Sequence, residues 1–172
     1  MDTGKRRDEL LKILKQKESA ISASTLAQQL SVSRQIIVGD VAILRAAGAE
    51  ISATPRGYVY RQNTALDFPF EGLIACKHST AQLAEELYTI VDFGGVVIDV
   101  TIDHLIYGQL SGTLNIRSRH DVDLFTEKVT AEENAKPLSF LTGGIHLHRI
   151  GCQNKGDFQL IKAALSEKNI ML

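Results

Sequence analysis

The 172-residue chain carries 19 Lys/Arg against 20 Asp/Glu, a formal net charge of −1, with 44% hydrophobic and 23% charged residues. That balance belongs to soluble globular protein and argues against disorder. No apolar run reaches the ~18 residues of a membrane span, and the charged stretch Met1 to Leu10 lacks a signal core, so a cytoplasmic protein with no membrane partner is expected.

Charge is unevenly spread. Residues 1–61 hold ten Lys/Arg against six Asp/Glu, a surplus of +4, and the remainder nine against fourteen, −5. A basic segment joined to an acidic one suits a nucleic-acid binder with a regulatory part. Arg6 to Gln16 reads as a first helix with Leu10, Leu11, Ile13 and Leu14 on its apolar face. Ser24 is placed as the N-cap of a short second helix that turns Leu26, Ala27 and Leu30 inward. After Ser31-Val32, Ser33 caps a third helix running to Ala47, with Ile37, Val41 and Leu44 at i, i+4, i+7 and Gly48 past its end. Two helices joined by a tight turn form a helix-turn-helix.

Thr54-Pro55-Arg56-Gly57 places Pro second and Gly fourth, a type I turn signature, between the strands Ala49 to Ala53 and Gly57 to Arg61. Helices followed by a hairpin make a winged helix. With Ser33-Arg34-Gln35 opening the third helix, the segment resembles the winged helix of the biotin-operon repressor class. The first turn of such a helix faces base edges, so Arg34 is expected at guanine and Gln35 at adenine. Ser33 suits a phosphate, and Arg56 at the wing tip suits a phosphate or the minor groove. Each is equally a residue type that stands solvated on an ordinary surface. Gly39, mid-helix on the exposed face, costs about 1 kcal/mol against Ala and has no evident sequence reason.

Residues 62–70 lack a period and contain a proline, as a linker does. Beyond it, Ile74 to Lys77 reads as a strand, and Ser79 with Gln82 as a capping box opening a helix from Thr80 to Asp92. Leu83, Leu87 and Ile90 form its buried stripe and Glu86 flanks it. Val96 to Ile102 and Gln109 to Ile116 read as strands, Val122 to Ala131 and Asp157 to Glu167 as helices, and Ile145 to Ile150 as a strand entered through Gly143-Gly144. On that last strand His146 and His148 share one face, and Ile145 and Leu147 the other. The pair is either two metal ligands or two solvated or hydrogen-bonded histidines on an exposed sheet face. Cys76 and Cys152, without C-x-x-C spacing, are soft ligands, members of a Cys/His nucleophilic pair, or buried packing, and packing is the commonest use. No G-x-G-x-x-G, phosphate loop or G-x-S-x-G elbow is present.

His78-Ser79 followed by Gln82, Glu86-Leu87, Ile90-Val91-Asp92 and Gly94, then Gly143-Gly144-Ile145-His146-Leu147-His148, resembles the three-histidine domain of NiaR-type niacin-responsive repressors. The resemblance extends over the whole chain. It departs at Leu105, where the family pattern has a proline after the histidine matching His104. The resemblance implies metal ligands at His78, Glu86, His146 and His148, holding a divalent transition metal ion, nickel or zinc first, iron or manganese also admissible. Along a fully helical path His78 and Glu86 would stand about 12 Å apart, so the helix must begin after His78.

The expected protein is α+β: an N-terminal winged helix-turn-helix domain (1–61), a linker (62–70) and a small metal-binding regulatory domain (71–172). By the resemblance it is a homodimeric, non-enzymatic repressor of genes for NAD biosynthesis or niacin uptake, with double-stranded operator DNA and nicotinic acid, its co-repressor, as partners. Competing readings are a metalloregulator sensing the ion itself and a metal-dependent enzyme fused to a DNA-binding domain. Effector-contacting residues stay unnamed; Lys77 and Arg149 adjoin the ligands in sequence, and His104 is a candidate either to support a ligand from behind or to face the effector.

Overall fold

A computed structural model describes residues 2–60 and 68–172. The chain divides into two compact units, Met1–Ala65 and Leu66–Leu172. Most of the expected linker, 62–67, lies outside the described residues. Phe68, expected within it, instead packs its ring where a Cβ on Gly151 would stand, so it belongs to the second unit's fold.

In the first unit α1 (Thr3–Gln16), α2 (Ala23–Gln29) and α3 (Arg34–Ala46) enclose Leu10, Leu14, Leu26, Ile37 and Val41. α1 starts three residues before the expected Arg6. The cap of α2 is Ser22, not Ser24: its Oγ accepts from the Thr25 backbone N–H at 3.0 Å, and Ser24 lies inside the first turn. Ser33 caps α3 as expected, accepting from Ile36 N–H at 3.3 Å, and Gly48 ends the helix at φ +93°. Asp40, buried in α3, receives a fork from Arg6, Nε at 2.6 Å and Nη2 at 3.1 Å, which fastens α1 to α3.

β1 (Ile51–Thr54) and β2 (Gly57–Tyr60) form the wing with Thr54 opposite Gly57, so Pro55-Arg56 is a two-residue turn. Neither turn residue has a positive φ, and Thr54 Oγ1 accepts from the Arg56 N–H, consistent with the type I signature. A third strand-like contact escaped the sequence: Ile21 and Tyr58 exchange both backbone hydrogen bonds, at 2.9 and 2.8 Å. Gly57, at φ +133°, permits it, because a Cβ there would run into the Ile21 carbonyl.

The second unit is a four-stranded antiparallel sheet of β3 (Phe70–Lys77), β4 (Val96–His104), β5 (Gly108–Ile116) and β6 (Ile145–Cys152), in the order β3-β6-β4-β5. Helices α4 (Leu83–Asp92), α5 (Arg119–Ala131) and α6 (Lys155–Glu167) supply Leu87, Ile90, Val122, Ile161 and Leu165 to its core. The last strand in sequence is thus threaded between β3 and β4, at the centre of the sheet. β4 carries a register shift between Val97 and Asp99. Residues Thr80–Gln82 are a 3₁₀ turn and α4 opens only at Leu83; the Ser79 hydroxyl makes no capping bond, so the expected capping box is absent. A second 3₁₀ turn, Leu138–Thr142, unmarked in the sequence, leads into Gly143 and Gly144, at φ +61° and +94°.

Candidate functional site

His146 and His148 alternate with Ile145 and Leu147 as a strand requires, but the face is the reverse of what apolarity implies. The two histidines are 3% and 2% exposed, and Ile145 is 46% exposed. The solvated-pair alternative is thereby removed. Register sets Cys76 opposite His146, and Ile74 and Val100 opposite His148. Glu86 stands in the buried stripe of α4, three residues after Leu83 and four before Ile90, rather than on its flank, and is fully buried. His78 precedes the 3₁₀ turn. The late helix start removes the distance problem, and Gly144 lets the chain lie against the His78 backbone, where a Cβ would collide with the His78 carbonyl.

All four residues expected as ligands therefore meet. Around the Glu86 carboxylate stand His78 Nε2 at 2.6 Å from Oε2, His146 Nε2 at 3.0 Å from Oε1, and His148 Nε2 at 3.4 Å from Oε2. The last is too long to be a hydrogen bond, and His148 Nε2 is a buried nitrogen without a partner. The other ring nitrogens decide the chemistry. His78 Nδ1 lies 2.8 Å from Ser79 O, His146 Nδ1 2.8 Å from Gly144 O, and His148 Nδ1 2.8 Å from Asp99 O. A carbonyl only accepts, so each Nδ1 carries a proton, and each Nε2 faces the carboxylate, as a donor when the ring is charged and as a lone pair when it is neutral. Three imidazole nitrogens converging on one buried carboxylate are held together by protons on the rings or by a cation between them. Backbone-anchored Nδ1 with converging Nε2 is the arrangement of metal-ligating histidines, and the donor set fits a divalent transition ion.

With His78 and His148 protonated, the cluster is a carboxylate–imidazolium set. Burial by itself would raise the Glu86 pKa, but the charge of His148 and the three imidazole contacts outweigh it and hold the carboxyl well below its ordinary range. Burial likewise pulls His78 and His148 down, and Glu86 overrides it and pushes both up. Cys76, fully buried, is raised far above an ordinary thiol by burial first and by the Glu86 charge second. Its Sγ joins Glu86 and His146 in a group whose ligand atoms lie within 4.8 Å of one another. Only the long-range register puts it there.

Other candidates fall away. Cys152 is buried in the core, four residues from His148, roughly 13 Å along the strand. His104 Nδ1 accepts from the Ile106 and Tyr107 N–H groups at 3.2 and 3.3 Å and its ring stacks on Tyr107, so it organises the β4–β5 turn and does not join the cluster. Leu105, where a proline was expected, is fully exposed at that turn. Lys77 and Arg149 project from the open face of the sheet, where Arg149 pairs with Asp99 at 2.7 Å.

In the first unit Arg34 and Gln35 are exposed in the opening turn of α3, and Arg56 at the wing tip. Ser33 uses its oxygen to cap the helix, leaving its O–H to donate to an external acceptor. Ile36, 41% exposed beside them, went unremarked in the sequence because the helical period gave it no core position.

The HTH domain family matches residues 6–59 and the 3H domain family residues 71–172. The chain is 39% identical over 168 residues to the transcription repressor NadR of Bacillus subtilis, covering 97% of this chain and 93% of that protein. It is 37% identical over 165 residues to the probable transcription repressor NiaR of Thermotoga maritima, covering 95% and 91%.

Proposed function

The chain belongs to the family of NadR- and NiaR-type transcription repressors, an HTH domain followed by a 3H domain, and from that membership we propose that it is a cytoplasmic repressor whose metal centre senses nicotinic acid as co-repressor of NAD-related genes. The observation that carries the sensing part is the convergence of three imidazole Nε2 atoms on one fully buried carboxylate. His78, Glu86, His146 and His148 hold the ion, nickel or zinc before iron or manganese. A bound divalent ion supplies an electron-pair acceptor for the pyridine nitrogen or carboxylate of nicotinic acid. Glu86, committed as a ligand, leaves the cluster without a general base among the described residues, which favours a sensor over an enzyme.

On DNA, a homodimer sets two α3 helices on successive major-groove faces about 34 Å apart. Arg34 reads guanine, Gln35 adenine, Ile36 offers an apolar surface to a thymine methyl, and Ser33 and Arg56 hold phosphates. Arg34→Ala is expected to cost about 1–3 kcal/mol at the operator and relax one base pair per half-site, whereas Arg56→Ala weakens all sequences and flattens the salt dependence. Wild-type binding of both operator and random DNA by Arg34→Ala would remove it as a base reader.

The central test is an operator titration by fluorescence anisotropy. Nicotinic acid should tighten binding by roughly 5- to 150-fold, the range of a coupling of about 1–3 kcal/mol. Nicotinamide, lacking the charge, should act less well, and His148→Ala should lose the response while keeping weak non-specific binding. An unchanged curve with metal-loaded dimer would remove nicotinic acid and leave the ion itself as the signal.

A further inference from the structure

We propose that Cys76 is a further protein donor to the same ion, supplying a thiolate that sets the site's preference among metals. The inference rests on the metal reading above and adds a residue to it. Register carries the geometry: Cys76 lies directly opposite His146 on the neighbouring strand, on the buried face that carries both histidines. Its Sγ, a Glu86 oxygen and a His146 nitrogen fall within 4.8 Å of one another. Packing alone explains a buried cysteine, but not one whose Sγ stands among the ligand atoms of Glu86 and His146.

The donor chemistry of sulfur makes the assignment testable. On metal arrival the Cys76 S–H bond breaks, its proton leaves to solvent, and an Sγ–metal bond forms without any change of oxidation state. Thiolate is a soft ligand, so the site should favour zinc, nickel or cobalt over manganese, which prefers oxygen donors.

The test uses the full chain stripped of metal and reloaded with cobalt(II), whose sulfur-to-metal charge-transfer absorption in the near ultraviolet reports a bound thiolate. The expected result is one cobalt per chain with that band, retained in Cys152→Ser and absent in Cys76→Ser. Cys76→Ser keeps an O–H donor for Glu86, so a merely hydrogen-bonding role would leave metal affinity intact. The ligand role predicts a loss of ten-fold or more for zinc, with a smaller loss for manganese. Cobalt bound without the band, or full zinc affinity in Cys76→Ser, would overturn the assignment of Cys76 alone. Failure of the wild-type chain to retain cobalt would overturn the metal reading itself. Should Cys76→Ser misfold by circular dichroism, the wild-type and Cys152→Ser spectra still decide the question.

Discussion

Glu86→Ala should empty the centre of metal and lower the melting temperature of the 3H unit by roughly 10 °C or more. Glu86 is the sole carboxylate touching His78, His146 and His148 among the described residues, and it is fully buried. Removing one partner of a buried charged set typically costs about 3–5 kcal/mol. For a unit of this size each kcal/mol moves the midpoint by about 4–8 °C. Glu86→Gln separates the two effects. Its amide can donate to an imidazole lone pair, so the metal-free protein should melt above Glu86→Ala, yet without the charge it should still fail to hold the ion. Elemental analysis and thermal unfolding with and without chelator read both. Full metal occupancy in Glu86→Ala would strike Glu86 from the ligand set.

Gly57→Val should unfold the wing's anchorage and abolish operator binding. The residue sits at φ +133° and its missing Cβ makes room for the Ile21 carbonyl, which is backbone and cannot swing aside. Forcing a β-branched residue into that conformation costs about 1–3 kcal/mol, and the collision a further 1–3 kcal/mol or so. Gly39→Ala is the matched control, because nothing lies within 4 Å of a Cβ there. It should stabilise α3 by up to about 1 kcal/mol, and a loss of operator affinity without loss of stability would show that DNA needs the bare backbone at that position. Chemical unfolding followed in the HTH unit distinguishes the three proteins. A wild-type transition in Gly57→Val would mean that the Ile21–Tyr58 bridge is not a feature of the folded protein.

Local signals carried the sequence reading as far as they reached. Ser33 and Gly48 bracketed α3 because caps act within one turn, and the period of two put His146 and His148 on a common face. Local signals also misled where two answers were nearly equivalent. Ser22 and Ser24 are both capping residues two positions apart, and hydrogen bonding to Thr25 decided for Ser22. The Ser79/Gln82 spacing fits a capping box, but residues 80–82 wind more tightly and shift the helix to Leu83. What lay beyond local reach was set by long-range pairing. The Ile21–Tyr58 bridge involves a single residue with no alternating run. Which face of β6 is buried depends on its place between β3 and β4, and apolarity alone would have turned Ile145 inward. Cys76 gained its neighbours only through its register with His146.

The backbone anchor of His148 gives the centre a mechanical outlet. Its Nδ1 holds the carbonyl of Asp99 beside the irregularity in β4, and the side chain of the same Asp99 crosses to the open face of the sheet to grip Arg149. One residue therefore has its main chain tied to the buried side and its carboxylate tied to the exposed side. A shift of the His148 ring would be felt on the opposite face of the sheet, beside the register shift of β4. The amide groups around Asp99, followed by hydrogen exchange, are where filling or emptying of the pocket should first be legible from outside.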